Sequence, residues 1–439
     1  MPRAIIAGGG LAGMAAAAAL AEAGIGVELF EARPALGGRA GSFTPPDSQD
    51  AYELIDNCQH ILLRCCTNLL DFYRRLGVLD RIRFYDLFHF IEPGGRVSCV
   101  RAGVLPAPFH LLGSLLRARF LRAGDKLAVL RGLAAIQREP GGDDLERITM
   151  LEWLGRQRQT TGAVQRFWRP VLASVVNEEL DRMAAAHGFQ VFRLAFLGRR
   201  DAWHMGVPQA PLGRLYSPQV WEQFENVKIH LGAPVERVLI EQGAARGVLV
   251  SGERREADYY VLAVPFDRIP ALLPELELDL KPFEYSPITG IHLWFDRPVT
   301  DLPQAALLDR TIQWVFNKVE GRYLVAVVSA SRNLLAMSRA EVTALAVREL
   351  AEFLPRVSRA GLQRAHVVKE VHATFSARPG LEAFRPASKT RFPNLFLAGD
   401  WTRTGGPATM EGAARSGYLA AEAVTRAAGA SRQFLLPAI

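Results

Sequence analysis

The chain has 439 residues, of which 49% are hydrophobic and 22% charged, with a formal net charge of +7. That length supports two or three packed units, and the apolar share excludes a disordered chain. Four cysteines exclude a disulfide framework and fit a reducing compartment, while the positive balance favours anionic surfaces as partners.

The N-terminal stretch RAIIAGGGLAGMAAAAALAEAGIGVELFEARPALGGRAGSF predicts strand, turn, helix, strand, turn. The strand covers Ala4 to Ala7, the helix Leu11 to Ala23 and the second strand Val27 to Glu31. Gly8, Gly10 and Gly13 form G-x-G-x-x-G. Such spacing gives a tight turn, a close backbone approach to a pyrophosphate, and close packing of helix on strand. The helix N-terminus then offers unpaired N–H groups and a positive dipole to phosphates. Glu31, at the end of the second strand, is placed to accept hydrogen bonds from ribose hydroxyls. Arg33 and the Gly37-Gly38-Arg39 run suit a second approach to a diphosphate and favour FAD over NAD. Arg3 alone precedes this apolar run and Glu22 interrupts it, unlike a signal peptide. No other run approaches the roughly 20 apolar residues of a spanning helix. The expectation is a cytoplasmic protein that is not integral to a membrane.

The next stretch, IDNCQHILLRCC, holds three of the four cysteines. One residue separates Cys58 from His60, and Cys65 and Cys66 are adjacent. Zinc sites favour C-x2-4-C pairs, and no distant pair completes a set, so no metal site is expected. The segment reads as the exit from the nucleotide domain across the cofactor face, with Gln59 and His60 lining the active site.

Farther on, VLPAPFHLLGSLLRARFLRAGDKLAVLRG places Leu112, Leu115, Leu116 and Phe120 at helical spacing among Arg117, Arg119, Arg122, Lys126 and Arg131. Residues 104–131 read as a helix lying on an anionic bilayer. No aromatic-interleaved basic patch or nucleic-acid module appears, so nucleic acid is not an expected partner. Asn177, in VVNEEL, is a candidate to bond a substrate hydroxyl, with a helix cap or turn as the alternative. The stretches TGIHLWFD, TIQWVFNK and RYLVAVVS read as strands. A helix from about Arg339 to Phe353 and the strand AHVVKEVHATF follow. Near the C-terminus, Leu395 to Ala398 is a strand with Gly399 and Asp400 at its carboxyl end, where open α/β sheets bind ligands. A helix from about Met410 to Thr425 aims its N-terminus at an electron-rich ring or a phosphate.

Three motifs together carry a family resemblance: G-x-G-x-x-G with Glu31, G-G-R-x-x-S at Gly37 to Ser42, and A-G-D…M-E-G-A…S-G from Ala398. They resemble the amine oxidase and phytoene desaturase class of FAD enzymes. The resemblance implies that Asp400 binds the ribityl and diphosphate region, and that Met410, Glu411, Gly412 and Ala413 lie by the polar edge of the flavin. Val235 would pair its backbone with adenine, and Ala263 would pass under the cofactor. With Gly8, Gly10, Leu11, Ala12, Gly13, Glu31, Ala32, Arg33, Gly38, Arg39, Ala40 and Gly399, these make up the expected FAD site. His292 stands about where amine oxidase relatives carry a lysine near flavin N5.

Over nearly the whole chain, DNCQHILLRCCTNLLDFYRRLGV, LPAPFHLLGSLLRARFLRAGDKL, FWRPVLASVVNEEL and YSPITGIHLWFDRPV resemble the squalene-associated FAD enzymes of bacterial hopanoid pathways, the hydroxysqualene dehydroxylases. Cys58 departs from the glycine of that family's D-N-G-Q-H pattern. The resemblance implies removal of an allylic hydroxyl from hydroxysqualene, giving squalene, with reduced FAD as hydride donor. Such chemistry needs a dry apolar cavity, a proton donor and π faces near a cation. His60 and His292 are the candidate catalytic residues, and Gln59, Asn177, Trp294 and Trp314 the candidate substrate contacts. Alternatives are a carotenoid or squalene desaturase, an amine oxidase, and a flavin-bound scaffold without turnover. No second dinucleotide fingerprint is present, so the electron donor is unidentified. An enzyme acting on a C30 isoprenoid is expected to lie peripherally on the inner face of the cell membrane.

The expected fold is α/β: a discontinuous Rossmann-like FAD domain of residues 1–66, 212–285 and 378–439. Residues 67–211 and 286–377 form an inserted α+β substrate domain of mixed sheet and helices, the first part mostly helical.

Overall fold

A computed structural model describes residues 1–46, 48 and 53–437. The short apolar run Arg3–Ala7 is the middle strand of a five-stranded parallel sheet. Gly26–Glu31 and Val227–Leu231 lie on one side of it, and Tyr259–Leu262 and Leu395–Leu397 on the other. Parallel strands are buried on both faces, which is why they read as continuous apolar runs. The helix Leu11–Glu22 buries every residue from Leu11 to Ala21. Its alanines have no room to be larger, because the C-terminal helix Met410–Ala427 packs directly against it. Among the described residues, no helix is long and apolar enough to cross a membrane.

The helix Thr67–Arg75 buries Leu69, Phe72 and Tyr73 in the core shared by Leu20, Tyr216 and Tyr418. The nucleotide domain therefore extends past residue 66, to about Ile82. An antiparallel meander, Val235–Glu241, Ala244–Val250 and Glu253–Arg255, completes it.

The second sheet has seven strands, in the order Leu362–Phe375, Tyr285–Phe295, Tyr323–Ser329, Trp314–Val319, Gln304–Leu307, Phe88–Glu92 and Arg96–Val100. Its last two strands come from the first insertion, which is thus less purely helical than its composition suggests. Along Tyr285–Phe295 the side chains alternate between faces. Ile291, Leu293 and Phe295 pack with Val342 and Leu350 of the helix Arg339–Phe353. Ile288, Gly290, His292 and Trp294 share the opposite face, and at Gly290 that face meets the Asn57–Cys58 segment of the nucleotide domain. The helices of the first insertion, among them Ala123–Arg138 and Arg169–Val176, close the third side. Two π-helical turns, Val164–Trp168 and Phe192–Gly198, interrupt this layer. Such turns concentrate at functional sites.

Candidate active site

One cavity of about 930 Å³ runs from the glycine turn, past the Asn57–Ile61 segment, into the helical layer. At its nucleotide end Gly8 has φ +108°, and a Cβ there would stand 2.4 Å from the carbonyl oxygen of Ala263. At Gly10 a Cβ would meet nothing within 4 Å, because Gly10 faces the cavity. The residue following Gly10 opens the helix Leu11–Glu22, whose N-terminus has no side-chain cap. A bare helix N-terminus facing an open cradle is the site a diphosphate requires. Glu31 accepts from the amides of Gly9 at 2.7 Å and Arg33 at 2.8 Å, one on each carboxylate oxygen. Each oxygen keeps a second lone pair for a ribose hydroxyl. Ala32, Arg33, Gly38, Arg39, Ala40, Val235, Ala263 and Gly399 also line the cavity, with Leu11 and Ala12. Gly13 sits one turn back, where a Cβ would strike the carbonyl oxygen of Gly8.

Asp400 lines the same cavity and takes a hydrogen bond from Arg39 Nη2. Thr409 caps the C-terminal helix by accepting from the Gly412 amide at 3.0 Å. Met410 and Ala413 face the cavity. Glu411 and Gly412 do not line it. The Glu411 carboxylate turns away and accepts from the amide of Leu69 at 2.8 Å and from Asn68 Nδ2 at 2.8 Å, capping the helix Thr67–Arg75. Its burial there pushes its pKa up. This corrects the reading that all four residues of M-E-G-A adjoin the flavin: on a helix, successive residues point about 100° apart.

Gln59 and His60 both line the cavity. His60 Nε2 stands 2.8 Å from Asn57 Oδ1. An amide oxygen only accepts, so Nε2 carries the proton and Nδ1 keeps a lone pair. Burial lowers the His60 pKa. Gln59 Oε1 accepts from Lys318 Nζ at 2.9 Å. Lys318, which sequence reasoning missed, has its own pKa lowered by burial.

His292 is not at the cavity. It shares a face with Ile288, but the Asn57–Cys58 segment crosses at Gly290 and walls it off. Its Nδ1 lies 2.7 Å from Tyr323 Oη, and burial pushes its pKa down to about 3. A histidine so placed is neutral at pH 7 and does not serve as the proton donor. Trp294 is displaced for the same reason. It stacks on Tyr323 at 4.5 Å, beneath the Arg364 guanidinium, and contacts no part of the cavity.

Asn177 does border the cavity, but its amide is committed. Nδ2 donates to Ser286 O at 3.0 Å and to Thr374 Oγ1 at 2.8 Å, while Oδ1 accepts from the Ala330 amide at 2.7 Å. With φ +57° it ends the helix Arg169–Val176, a position asparagine tolerates. It fastens helix to sheet and leaves no amide proton for a substrate hydroxyl. Trp314 lines the chamber and donates to Ser174 Oγ at 2.9 Å.

Cys58 is buried in the cavity wall, and burial pushes its thiol up to about 12. It is a small apolar filler and not a thiolate. Beyond it the chamber is apolar: Phe88, Phe90, Leu115, Phe120, Leu133, Phe167, Phe192 and Phe316 line it with Trp314. A sparse polar set completes the wall: Tyr285, Asp267, Glu370, His372 and Thr374. Sequence reasoning missed these, although the alternation in EVHAT puts Glu370, His372 and Thr374 on one strand face.

Residues 11–425 match the family described as flavin containing amine oxidoreductase. The chain is 28% identical to a 15-cis-phytoene desaturase of an Oncidium hybrid cultivar, over 96% of this chain and 77% of that one. It is 26% identical to a zeta-carotene desaturase of Synechocystis sp., over 96% and 97%. Among solved structures, an oxidoreductase from Methanosarcina mazei aligns with a TM-score of 0.71 at 17% identity, covering 94% of this chain and 98% of that one. A double mutant of putrescine oxidase gives 0.69 at 18% identity, covering 98% and 99%. The glycine cradle, Glu31 and Asp400 fit FAD, and the chain belongs to the flavin-containing amine oxidoreductase family as an FAD-dependent oxidoreductase.

Proposed function

We propose that the protein reductively removes the allylic hydroxyl of hydroxysqualene, giving squalene. One observation carries this reading: the FAD cradle and a long apolar chamber are a single cavity, at the upper end of the roughly 300–1,000 Å³ common for ligand sites. Bound FAD, when reduced, supplies a hydride at its ring. The C–O bond would break as the oxygen takes a proton carried by His60 Nδ1, which draws it from solvent before substrate fills the chamber, and leaves as water; the carbon would be closed by the cofactor's hydride. The chain's part is to hold the cofactor through Gly10, Glu31, Arg39 and Asp400, and to exclude water with the phenylalanine-lined chamber. His60, with Nε2–H held by Asn57 Oδ1 at 2.8 Å, keeps Nδ1 free on the cavity wall to take up and deliver that proton.

The chamber mouth supports collection of substrate from a membrane. Phe109 lines the cavity and is 57% exposed, and Leu116 and Leu127 are 53% and 57% exposed. Arg117, Arg119, Arg122 and Arg131 are exposed in the same stretch of chain. The expected single amphipathic helix is two, Leu112–Arg117 and Ala123–Arg138, and the turn between them sends Phe120 inward. Exposed apolar side chains interspersed along the chain with exposed arginines suit an anionic bilayer surface. On this reading the protein sits peripherally on the cytoplasmic face.

The second reading, a desaturase run with oxidised flavin, is favoured by the similarity to phytoene and zeta-carotene desaturases. Anaerobic, dithionite-reduced enzyme given hydroxysqualene separates them. One equivalent of squalene per flavin supports dehydroxylation. No squalene, together with dehydrogenated product from oxidised enzyme and a hydrocarbon, overturns it in favour of the desaturase.

A further inference from the structure

The cavity holds a polar group with no task so far. Five carboxylates line it: Glu31, Glu236, Asp267, Glu370 and Asp400. Glu31 is held by two amides, Asp267 by Tyr285 Oη at 2.7 Å, and Asp400 by Arg39. Glu236 is exposed on the meander. Glu370 is half-buried, and among the described residues it has no hydrogen-bond or ion-pair partner.

Its place is set by the second sheet. Glu370, Ile288 and Ser329 are in register across three adjacent strands, and all three line the cavity. Three residues along the same strand, the carbonyl of Ala373 accepts from Arg39 Nη1 at 3.1 Å, which ties the strand to the FAD cradle. The charge of Glu370 acts on Arg39, on Cys58 and on His60. The carboxylate therefore stands where cofactor cradle and apolar chamber meet, on the sheet side, with His60 on the segment that crosses that sheet. Its neighbours on the strand face are occupied: Thr374 Oγ1 by Asn177, and His372 by stacking on Tyr285 at 4.4 Å.

We propose that Glu370 is the acceptor that recognises the substrate's hydroxyl and fixes the reacting carbon at the cradle–chamber junction. The inference rests on the reading of the substrate as an alcohol on an apolar chain. Covering a carboxylate without giving it a hydrogen-bond partner is costly. An alcohol O–H satisfies it with a charge-assisted hydrogen bond. A hydrocarbon of the same shape covers it and leaves it unpaired, so the site discriminates against the molecule lacking the hydroxyl. The same contact releases squalene once the oxygen has left as water.

The test is binding to FAD-loaded, oxidised enzyme, followed by the change in flavin absorbance, with hydroxysqualene and squalene delivered in identical detergent micelles. Wild type is expected to prefer hydroxysqualene by about 10- to 100-fold. Glu370→Leu is expected to abolish the preference by losing hydroxysqualene affinity and gaining squalene affinity, while flavin content stays unchanged. Glu370→Gln, which keeps the shape and a neutral acceptor, is expected to fall between and serves alone if the leucine variant does not fold. An undiminished preference in Glu370→Gln and Glu370→Leu, or none in wild type, overturns the proposal. Turnover is a separate readout: preference without squalene formation by reduced wild type overturns dehydroxylation and leaves Glu370's role standing. Wild-type turnover and preference in Glu370→Leu do the opposite.

Discussion

Arg39 and Asp400, 361 positions apart in the chain, form an ion pair in the wall of the cavity. The pair joins the second glycine turn to the carboxyl end of the strand Leu395–Leu397, so the two ends of the chain build one cofactor site. Asp400→Ala removes the carboxylate and leaves Arg39 without its partner. We expect a folded protein with at least tenfold weaker FAD binding, read as the flavin-to-protein absorbance ratio during dialysis. Full flavin retention would refute the role of this pair in holding the cofactor.

Gly8 and Gly10 separate folding from cofactor binding. Gly10→Val projects its side chain into open cavity and is expected to yield a folded protein without flavin. Gly8→Val forces a branched residue to φ +108° and against the Ala263 carbonyl. It is expected to lose the fold itself. Circular dichroism and flavin content, measured together, distinguish the two outcomes.

Arg385 is 1% exposed and clamps the loop after Asp400. It donates to the carbonyls of Asp400 at 2.9 Å and Gly406 at 2.8 Å, to Thr404 Oγ1 at 2.9 Å, and to Glu382 at 2.7 Å. Arg385→Met leaves several buried acceptors unpaired and is expected to cost about 3–5 kcal/mol. Urea unfolding checks this, and a loss below 1 kcal/mol would show that water replaces the guanidinium.

Acid should unfold the protein through two histidines. Burial pushes His187 and His292 down to about 3, whereas in the unfolded chain they protonate near pH 6.5. The unfolded state therefore binds more protons below that value. Stability is full above about pH 6.5 and falls as the pH drops toward 3, by about 2 kcal/mol per histidine at pH 5. The double variant His187→Gln, His292→Gln is expected to show a shallower loss of urea midpoint between pH 7 and 5. An identical slope would assign the acid sensitivity elsewhere.

The proposed membrane contact through residues 104–131 predicts salt-sensitive sedimentation with anionic vesicles and little with neutral ones. Replacing Arg117, Arg119 and Arg122 by Gln should reduce binding, and Phe109→Ser with Leu127→Ser should abolish insertion without changing flavin content. Equal binding of all variants would exclude this surface as the contact.

The amino-acid sequence by itself determined the cofactor end of the molecule. Glycines at fixed spacing, an acid at a strand end and Asp400 after a short strand act through backbone geometry, and backbone geometry is local. What lines the chamber was decided by tertiary structure. His292 and Ile288 lie on the same face of one strand, yet the crossing of Asn57–Cys58 at Gly290 leaves only Ile288 in the cavity. Glu370 came into view only when its strand was placed beside Tyr285–Phe295. Asn177 was open in sequence between a substrate contact and a helix cap; it is the cap, and its bonds to Ser286, Ala330 and Thr374 reach across more than a hundred residues of chain. Which side of a wall a side chain occupies depends on which segment crosses it, and no local pattern encodes that crossing.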